Sequence, residues 1–248
     1  TGEDRLRELN VRPPVLIDLS ARPIWKPADE SEALHAVGVR METLGLDYPK
    51  RVLRAFHTAM KVNETTQMAV LAGISGTGKS QLPRQYAAGM GIGFLQVPVQ
   101  PRWDSPQDLM GFYNYIEGGF RPTDMARALW QLDTLNNKEG ALDDRMMMIL
   151  LDEMNLARVE YYFSDFLSRL ESRPPRSRIG DENLRKDAEI EFEIPMPEGS
   201  RTPRVFPGYN LLFAGTMNED ESTQSLSDKV VDRANVMRFA APRHIYRG

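Results

Sequence analysis

The stretch Gly73-Ile74-Ser75-Gly76-Thr77-Gly78-Lys79-Ser80 is the most informative segment of this 248-residue sequence. It fits the pattern G-x-x-x-x-G-K-[ST], follows the short apolar run 68–73 and precedes a stretch with helical periodicity. Glycines let the backbone turn successive N–H groups inward, and the N-terminus of a helix adds partial positive charge. We therefore predict that all eight residues form a loop that binds the phosphates of a nucleotide.

Two side chains of this loop have specific expected roles. Lys79 is predicted to reach the β- and γ-phosphates, and the hydroxyl of Ser80 is predicted to bind Mg²⁺. An ordinary glycine-rich turn with an exposed lysine is the alternative. The strand before the pattern and the helix after it favour the phosphate-binding interpretation.

A second stretch supplies acidic residues. The apolar run 146–151 is directly followed by Asp152 and Glu153. In an open α/β sheet, ligands bind at the carboxyl ends of the strands, so both acids are expected beside the phosphates. Asp152 is suited to bind Mg²⁺, directly or through water, and Glu153 is suited to polarise an attacking water molecule. A strand that merely ends in two solvated acids is the alternative.

Apolar runs with strand character alternate with segments of helical periodicity along most of the chain. Strands are predicted at 68–73, 93–99, 146–151 and 210–214, and helices at 29–44, 79–90, 105–109, 122–135 and 159–170. A further helix is predicted to begin at Asp47-Tyr48-Pro49. This alternation predicts an α/β fold with a parallel sheet that is covered on both faces.

Three segments depart from this alternation. The proline-rich residues 1–27 are predicted to form an extended arm or a lone strand. Residues 111–120 are predicted to form a short hairpin with a Gly-Gly turn, and the strict alternation over 188–194 predicts an exposed strand. We divide the chain into residues 1–44, of unknown role, and a nucleotide-binding core at 45–248.

The composition excludes several classes of site. The sequence contains no cysteine and only three histidines, which excludes thiol catalysis, disulfides, thiolate zinc sites and a histidine-rich metal centre. Its formal net charge of −4 gives no overall attraction to nucleic acid or to acidic membranes. No apolar run approaches the roughly 20 residues of a membrane span, and the chain does not begin like a secretion signal. We therefore expect a soluble cytoplasmic domain that does not bind membranes.

Three further segments carry a family resemblance. They are DEMNLA at 152–157, AGTMN at 214–218 and LSDKVVDRA at 226–234, and they follow the phosphate-binding loop in this order. Together with that loop they resemble the AAA+ ATPases. Within that superfamily they are most similar to the branch of McrB-type restriction NTPases and MoxR- and dynein-related ATPases. The resemblance covers roughly residues 45–242.

The resemblance implies a P-loop NTPase fold, which is an αβα sandwich around a parallel five-stranded sheet with β-hairpin insertions. It implies that Asn218 is the sensor residue that hydrogen-bonds the γ-phosphate and the attacking water, and that Arg233 is an arginine finger that reaches the nucleotide of the next subunit. A polar turn residue and a surface ion pair with Asp232 are the respective alternatives. The family continues into a small helical lid, which we expect to be absent from this sequence because it ends at Gly248.

The hairpin at 111–120 resembles an insertion that faces the central pore of AAA+ rings in the same branch. Tyr113, Tyr115 and Phe120 would then contact a substrate in the pore. Packing of these aromatic side chains on the core of the domain is the alternative.

The sequence and the resemblance together predict an ATPase that forms a ring, expected to be a hexamer. It would hydrolyse ATP with Mg²⁺ at subunit interfaces and remodel or translocate a protein or a nucleic acid. The McrB-type relatives imply a restriction or defence complex with a partner nuclease. Three alternatives stay open: GTP in place of ATP, a P-loop phosphotransferase, and a nucleotide-dependent scaffold without catalysis.

Overall fold

The computed structural model describes residues 2–134, 136, 142, 144–220 and 225–239. The strands in this part of the chain are β1 Met68–Gly73, β2 Gly93–Pro98, β3 Gly111–Asn114, β4 Gly119–Pro122, β5 Met147–Asp152, β6 Ile190–Glu191, β7 Arg204–Val205, β8 Leu211–Asn218 and β9 Ala234–Arg238. Five of them form one parallel sheet in the spatial order β2-β5-β8-β1-β9. The pairs β3–β4 and β6–β7 are separate antiparallel hairpins.

Helices connect and cover these strands. They are α1 Gly2–Leu6, α2 Pro14–Ala21, α3 Glu30–Thr43, α4 Lys50–Lys61, α5 Gln81–Gly89, α6 Pro106–Met110, α7 Asp124–Leu132, α8 Val159–Tyr162, α9 Ser164–Glu171, α10 Glu182–Arg185 and α11 Asp228–Val231. The helices predicted at 29–44, 79–90, 105–109 and 122–135, and the one predicted to begin at Asp47, are present with shifts at their ends, and residue 135 lies outside the described residues. The single helix predicted at 159–170 is wrong, because this segment is divided at Phe163 into α8 and α9. Within the described ranges, none of the helices has both the length and the apolar character needed to cross a lipid bilayer.

The central strands are buried on both faces. In β1, Met68 and Val70 belong to one hydrophobic core, whereas Leu71 belongs to a second core on the other face of the sheet. β5 alternates in the same way, with Ile149 in the first core and Leu150 in the second. Helices α7 and α9 contribute to the first core, and α4 and α5 contribute to the second. The predicted αβα sandwich with a parallel sheet is therefore confirmed.

Strand β9 is the one member of the main sheet that no local pattern predicted. Its sequence, ANVMR, is neither a continuous apolar run nor a strict alternation, and its residues are only partly buried. It lies at an edge of the sheet and pairs with β1 alone, from Met68–Ala234 to Ala72–Arg238. An edge strand needs less apolar surface than a central one, so its sequence carries a weaker signal. β9 completes the five strands that the resemblance implied.

The predicted extended arm or lone strand at residues 1–27 is wrong, because this segment contains α1 and α2. Pro14 is the first residue of α2, a position where a missing N–H and a fixed φ are compatible with a helix. Leu16 and Leu19, three residues apart on one face, are fully buried in the first core. The prolines therefore mark the start of a helix. The division of the chain at residue 44 and the role of residues 1–44 stay predictions.

Both predicted insertions contain strands. The hairpin at 111–120 is confirmed as β3 and β4, with Gly118 in the left-handed region at φ 68°. Over 188–194 burial alternates as predicted, but ladder pairing is limited to Ile190–Val205 and Glu191–Arg204. Prolines follow the segment at 195 and 197, and they cannot donate to a ladder.

We predict that Gly89→Ala destabilises the domain, because α3 and α5 are in close contact at this point. A Cβ at Gly89 would lie 2.8 Å from the backbone Cα of Val37, so the two helices would have to separate. Overpacking of this kind costs about 1–3 kcal/mol and should outweigh the gain in helix propensity. Urea denaturation measures the change in the free energy of unfolding.

Gly38→Ala is the matched control, since it makes the same substitution in the middle of α3. A Cβ at Gly38 meets no atom within 4 Å, so this variant should be as stable as the parent chain or more stable by up to about 1 kcal/mol. Equal effects of the two substitutions would contradict the proposed contact between α3 and α5.

Candidate functional site

The carboxyl ends of three neighbouring strands form the candidate site. Gly73, the last residue of β1, pairs with Asn218, the last residue of β8, and β5 ends beside them at Asp152. Strands of a parallel sheet all end at the same edge, so this arrangement follows from the topology. It brings the glycine-rich loop, the two acids and Asn218 together, as the sequence predicted.

The loop 73–80 lies between β1 and α5. Gly76 and Gly78 both have φ of 79°, in the left-handed region where a side chain would be strained. The hydroxyl of Thr77 donates to the carbonyl of Ile74 at 2.9 Å, which holds the loop closed on itself. The loop therefore has the curled backbone that a phosphate-binding nest requires.

Lys79 is buried inside this loop, with 6% of its surface exposed. Its ammonium donates to the Ile74 carbonyl at 2.5 Å and to the Thr77 hydroxyl at 3.4 Å. Burial lowers the pKa of Lys79, and the nearby carboxylates of Asp220 and Asp152 offset part of that shift. A phosphate would offer this ammonium a charged partner that the loop itself does not supply.

Asp152 is the most highly connected carboxylate of the site. Its Oδ1 accepts hydrogen bonds from Ser80 Oγ at 2.7 Å and from Thr216 Oγ1 at 2.6 Å. Its Oδ2 accepts from Gln96 Nε2 at 2.5 Å. Ser80 and Asp152 thus place a hydroxyl and a carboxylate oxygen side by side, which suits the preference of Mg²⁺ for oxygen ligands.

No group of three or more histidine, cysteine, aspartate or glutamate side chains forms a metal site within the part of the chain that the structure describes.

Glu153 has an uncommon backbone conformation. Its φ of 52° and ψ of 47° lie in the left-handed region, which costs a residue with a side chain about 1–3 kcal/mol. Its N–H donates to Thr216 Oγ1 at 2.8 Å, and its carboxylate Oε1 accepts from Asn218 Nδ2 at 3.2 Å. The strained backbone therefore turns Glu153 away from the line of β5 and towards Asn218.

Asn155 holds the backbone of Asn218 from both sides. Its Nδ2 donates to the Asn218 carbonyl at 2.7 Å, and its Oδ1 accepts from the Asn218 N–H at 3.1 Å. Asn155 is 1% exposed, so these bonds are shielded from water. The position of the Asn218 side chain is thereby defined by β8 and by the turn after β5.

A pocket of about 180 Å³ lies among these groups. Its lining contains six residues of the loop, both acids and Asn218, together with Gln81 and Thr216. Gly73 and Ile74, the first two residues of the predicted loop, are adjacent but do not line the pocket. The structure thus brings together the predicted binding residues 75–80 and the predicted residues Asp152, Glu153 and Asn218.

Arg233 is not part of this pocket. Arg233 directly precedes β9, and the first residue of β9 pairs with Met68 at the start of β1. The loop follows the other end of β1, at Gly73. At about 3.3 Å per residue, the two ends of β1 are roughly 16 Å apart. Its guanidinium pairs with Glu171 Oε2 at 3.0 Å and donates to Ser168 Oγ at 3.3 Å, so the alternative of a pair with Asp232 is not what the structure shows.

The aromatic residues of the hairpin are divided between core and solvent. Phe120 is 1% exposed and packs edge-to-face on Phe192 with 5.5 Å between ring centres. Tyr115 is 80% exposed and Ile116 is 97% exposed, and Tyr115 packs edge-to-face on Tyr113. Phe120 therefore packs on the core of the domain, which was the alternative to a contact in the pore, whereas Tyr115 is exposed to solvent at the tip of the hairpin.

Besides Asn155, the residues Thr216, Gln96 and Tyr48 support the site and were not predicted from the sequence. Thr216 lies two residues before Asn218 on the same face of β8, so period-two alternation could have indicated it. Gln96 is a polar residue within an otherwise apolar strand, which is also a detectable signal. Tyr48 donates its hydroxyl to the Gly78 carbonyl at 2.6 Å across 30 residues of sequence, and no local pattern indicates that contact.

No family model matches the sequence, and no curated protein sequence matches it either. Among solved structures, the chain is similar to one described as "a putative ATPase from Cytophaga hutchinsonii", at 16% sequence identity and a TM-score of 0.45. The match covers 92% of this chain and 54% of that one, so this chain spans about half the length of that protein.

We predict that Thr216→Val lowers the free energy of unfolding by about 1–3 kcal/mol. The substitution keeps the shape of a side chain that is 1% exposed, but it leaves the Glu153 N–H without its buried acceptor and removes a donor from Asp152. Thr216→Ser is the matched control, because it keeps the hydroxyl and loses one methyl group, at a cost of about 1 kcal/mol. Urea denaturation compares the two variants, and a valine variant as stable as the parent would contradict the bridging role of Thr216.

Proposed function

We propose that this chain is the nucleotide-binding core of an AAA+-type ATPase that hydrolyses ATP with Mg²⁺. One observation carries the proposal: a single pocket joins the curled loop 75–80 to the Ser80–Asp152 contact at 2.7 Å and to the Glu153–Asn218 contact at 3.2 Å. These contacts correspond to the separate requirements of nucleotide hydrolysis, namely binding of the phosphates, binding of the metal ion and activation of water.

Binding of the triphosphate is assigned to the loop and Lys79. The N–H groups at the start of α5 and the Lys79 ammonium would neutralise phosphate charge, and the Lys79 side chain is itself buried. Tyr48 supports this arrangement, because its hydroxyl holds the Gly78 carbonyl on the outer side of the loop.

Ser80 and Asp152 are the residues that would hold Mg²⁺, and the donor set fits that ion because both ligand atoms are oxygens. When bound, Mg²⁺ supplies positive charge that offsets the negative charge of the phosphates. Gln96 and Thr216 keep the Asp152 carboxylate oriented towards Ser80.

Hydrolysis is assigned to Glu153 and Asn218. The Glu153 carboxylate would accept a proton from the attacking water, and the Asn218 amide would donate to the γ-phosphate and orient the water between them. A carboxylate that touches this amide in the pocket favours hydrolysis over a scaffold that only binds nucleotide. The chemistry then depends mainly on positioning and charge.

Arg233 is proposed to act on the nucleotide of a neighbouring subunit in a ring, for which a hexamer is our expectation. Its place at the opposite end of β1 puts it roughly 16 Å from its own loop, beyond direct contact with a nucleotide there, so a role in the site of the next subunit accounts better for it. The proposed ring would remodel or translocate a protein or nucleic acid, in a restriction or defence complex with a partner nuclease, as the McrB-like resemblance implies. ATP is preferred to GTP because the sequence has no Asn-Lys-x-Asp stretch that reads guanine.

We predict that Glu153→Gln keeps nucleotide binding and lowers the rate of hydrolysis by about 100-fold or more, since an amide cannot accept the proton. Fluorescent-nucleotide titration and phosphate release measure the two properties. Glu198→Gln removes the same charge at an exposed position and should leave both unchanged. Full hydrolysis by Glu153→Gln, or loss of nucleotide binding with the fold intact, would contradict the assignment.

We predict that Arg233→Ala abolishes hydrolysis and that mixing it with Glu153→Gln subunits restores part of it. A mixed ring contains interfaces at which an intact Arg233 meets an intact Glu153, and each variant alone has none. Glu171→Gln is the matched control: it breaks the ion pair inside the subunit and leaves the guanidinium in place. If the mixture is inactive, or if Glu171→Gln is as impaired as Arg233→Ala, the arginine serves its own subunit and the proposal for it fails.

A further inference from the structure

A second pocket, of about 700 Å³, lies near the amino end of β8, whereas the nucleotide site is at its carboxyl end. We call it the basic pocket and define it by Glu182, Arg185, Lys186, Glu189, Arg201 and Arg204. One contact locates the pocket relative to β8: the Leu132 carbonyl at the end of α7 accepts a hydrogen bond from the side chain of Asn210, which directly precedes β8. Asp133, the residue after Leu132, lines the pocket. Eight residues of strand separate Asn210 from the nucleotide site, a distance of roughly 25 Å.

Arg185 is the unusual member of this pocket. It is 8% exposed, its Nε is buried without a hydrogen-bond partner, and its guanidinium lies over the Phe206 ring at 5.6 Å. Among the residues that the structure describes, no carboxylate lies within ion-pair distance of it. A guanidinium is a permanent cation, so this arrangement leaves the Arg185 charge without a carboxylate at ion-pair distance and its Nε donor without a partner. Glu189 Oε2 and Arg204 Nε, in the same pocket, are also buried without a hydrogen bond.

The nearby acids pair with Arg201 and Arg204 and not with Arg185. Glu189 is shared by Arg201 at 3.8 Å and Arg204 at 3.9 Å, and Arg204 also binds Glu191 at 2.9 Å. Asp133 accepts hydrogen bonds from the Phe206 N–H at 2.9 Å and from Asn136 at 3.2 Å. Glu182 is the remaining carboxylate of the lining, at the exposed first turn of α10. Four cationic and three acidic side chains line the pocket, and Glu191 outside the lining pairs with Arg204, so the charges balance in number. Among the described residues, Arg185 and Lys186 are the cations of the lining that have no carboxylate within ion-pair distance.

Burial of an unpaired charge is energetically unfavourable, and an apolar residue at the same position is often more stable. Native proteins rarely leave a buried polar group without a partner unless a ligand or a bound ion supplies it. The planar fork of a guanidinium matches two oxygens of a carboxylate or phosphate better than any neutral acceptor. Size also agrees, because the pocket can hold an organic molecule that carries such a group.

We propose that the basic pocket binds a small oxyanion, a phosphate or carboxylate group, with Arg185 as its principal ligand. Lys186 and the exposed Arg201 add positive charge at the opening. The site is separate from the nucleotide pocket and does not depend on the proposed ATPase activity.

Titration calorimetry with inorganic phosphate and with succinate, at constant ionic strength, tests the proposal. At least one anion should bind to the parent chain, and Arg185→Met should weaken that binding by about tenfold or more. Which anion binds identifies phosphate or carboxylate as the natural group. Arg201→Gln, at an exposed position with little effect on folding, should weaken binding by about twofold to fivefold. Arg54→Gln, an exposed change on the opposite layer, should have no effect.

Two further measurements separate this site from the loop and from a structural role. Lys79→Ala should lose nucleotide binding but keep the anion binding that needs Arg185. Without anion, Arg185→Met should melt at the same temperature as the parent or higher, because an uncompensated charge is removed. The proposal is overturned if neither anion binds, if Arg185→Met and Arg201→Gln bind as the parent does, or if Lys79→Ala alone abolishes anion binding.

Discussion

The carboxylate of Asp152 is the interaction on which the candidate site depends. It lies at the end of β5 and accepts hydrogen bonds from Ser80 of the loop, Gln96 of β2 and Thr216 of β8. Four segments that are far apart in sequence are thereby joined at one pair of oxygens. Because each donor comes from a regular element or its end, a displacement of any one strand would disturb the loop and the acids together.

Strain and burial are concentrated at this edge of the sheet. Glu153 adopts a left-handed backbone, and Lys79 keeps a charged group 6% exposed inside the loop. Both are unfavourable for the isolated domain and are held by hydrogen bonds, from the Glu153 N–H to Thr216 and from the Lys79 ammonium to the Ile74 carbonyl. Such features are typical of positions where binding and chemistry take precedence over stability.

The sequence alone was sufficient to predict the general fold and most of the residues that line the candidate pocket. The central strands were visible because burial on both faces requires continuous apolar residues, and the loop was visible because its glycines are adjacent in sequence. The edge strand β9 and the helix α2 were not, since a partly buried edge needs few apolar residues and since prolines occur both in extended segments and at helix starts. Thr216 and Gln96 carried signals that were weak until β5 and β8 were seen side by side.

What the sequence by itself determined is local: the loop, the two acids at the end of an apolar strand, and the alternation of helices and strands. The family resemblance added the asparagine at the end of β8. The tertiary structure decided which of these groups meet. It brought Asp152 to Ser80, Glu153 to Asn218 and Tyr48 to Gly78, and it placed Arg233 at the far end of β1. It also left the Arg185 Nε buried without a hydrogen-bond partner. The physical reason is that hydrogen bonds and ion pairs between distant segments depend on strand order and register, which no short stretch of sequence encodes.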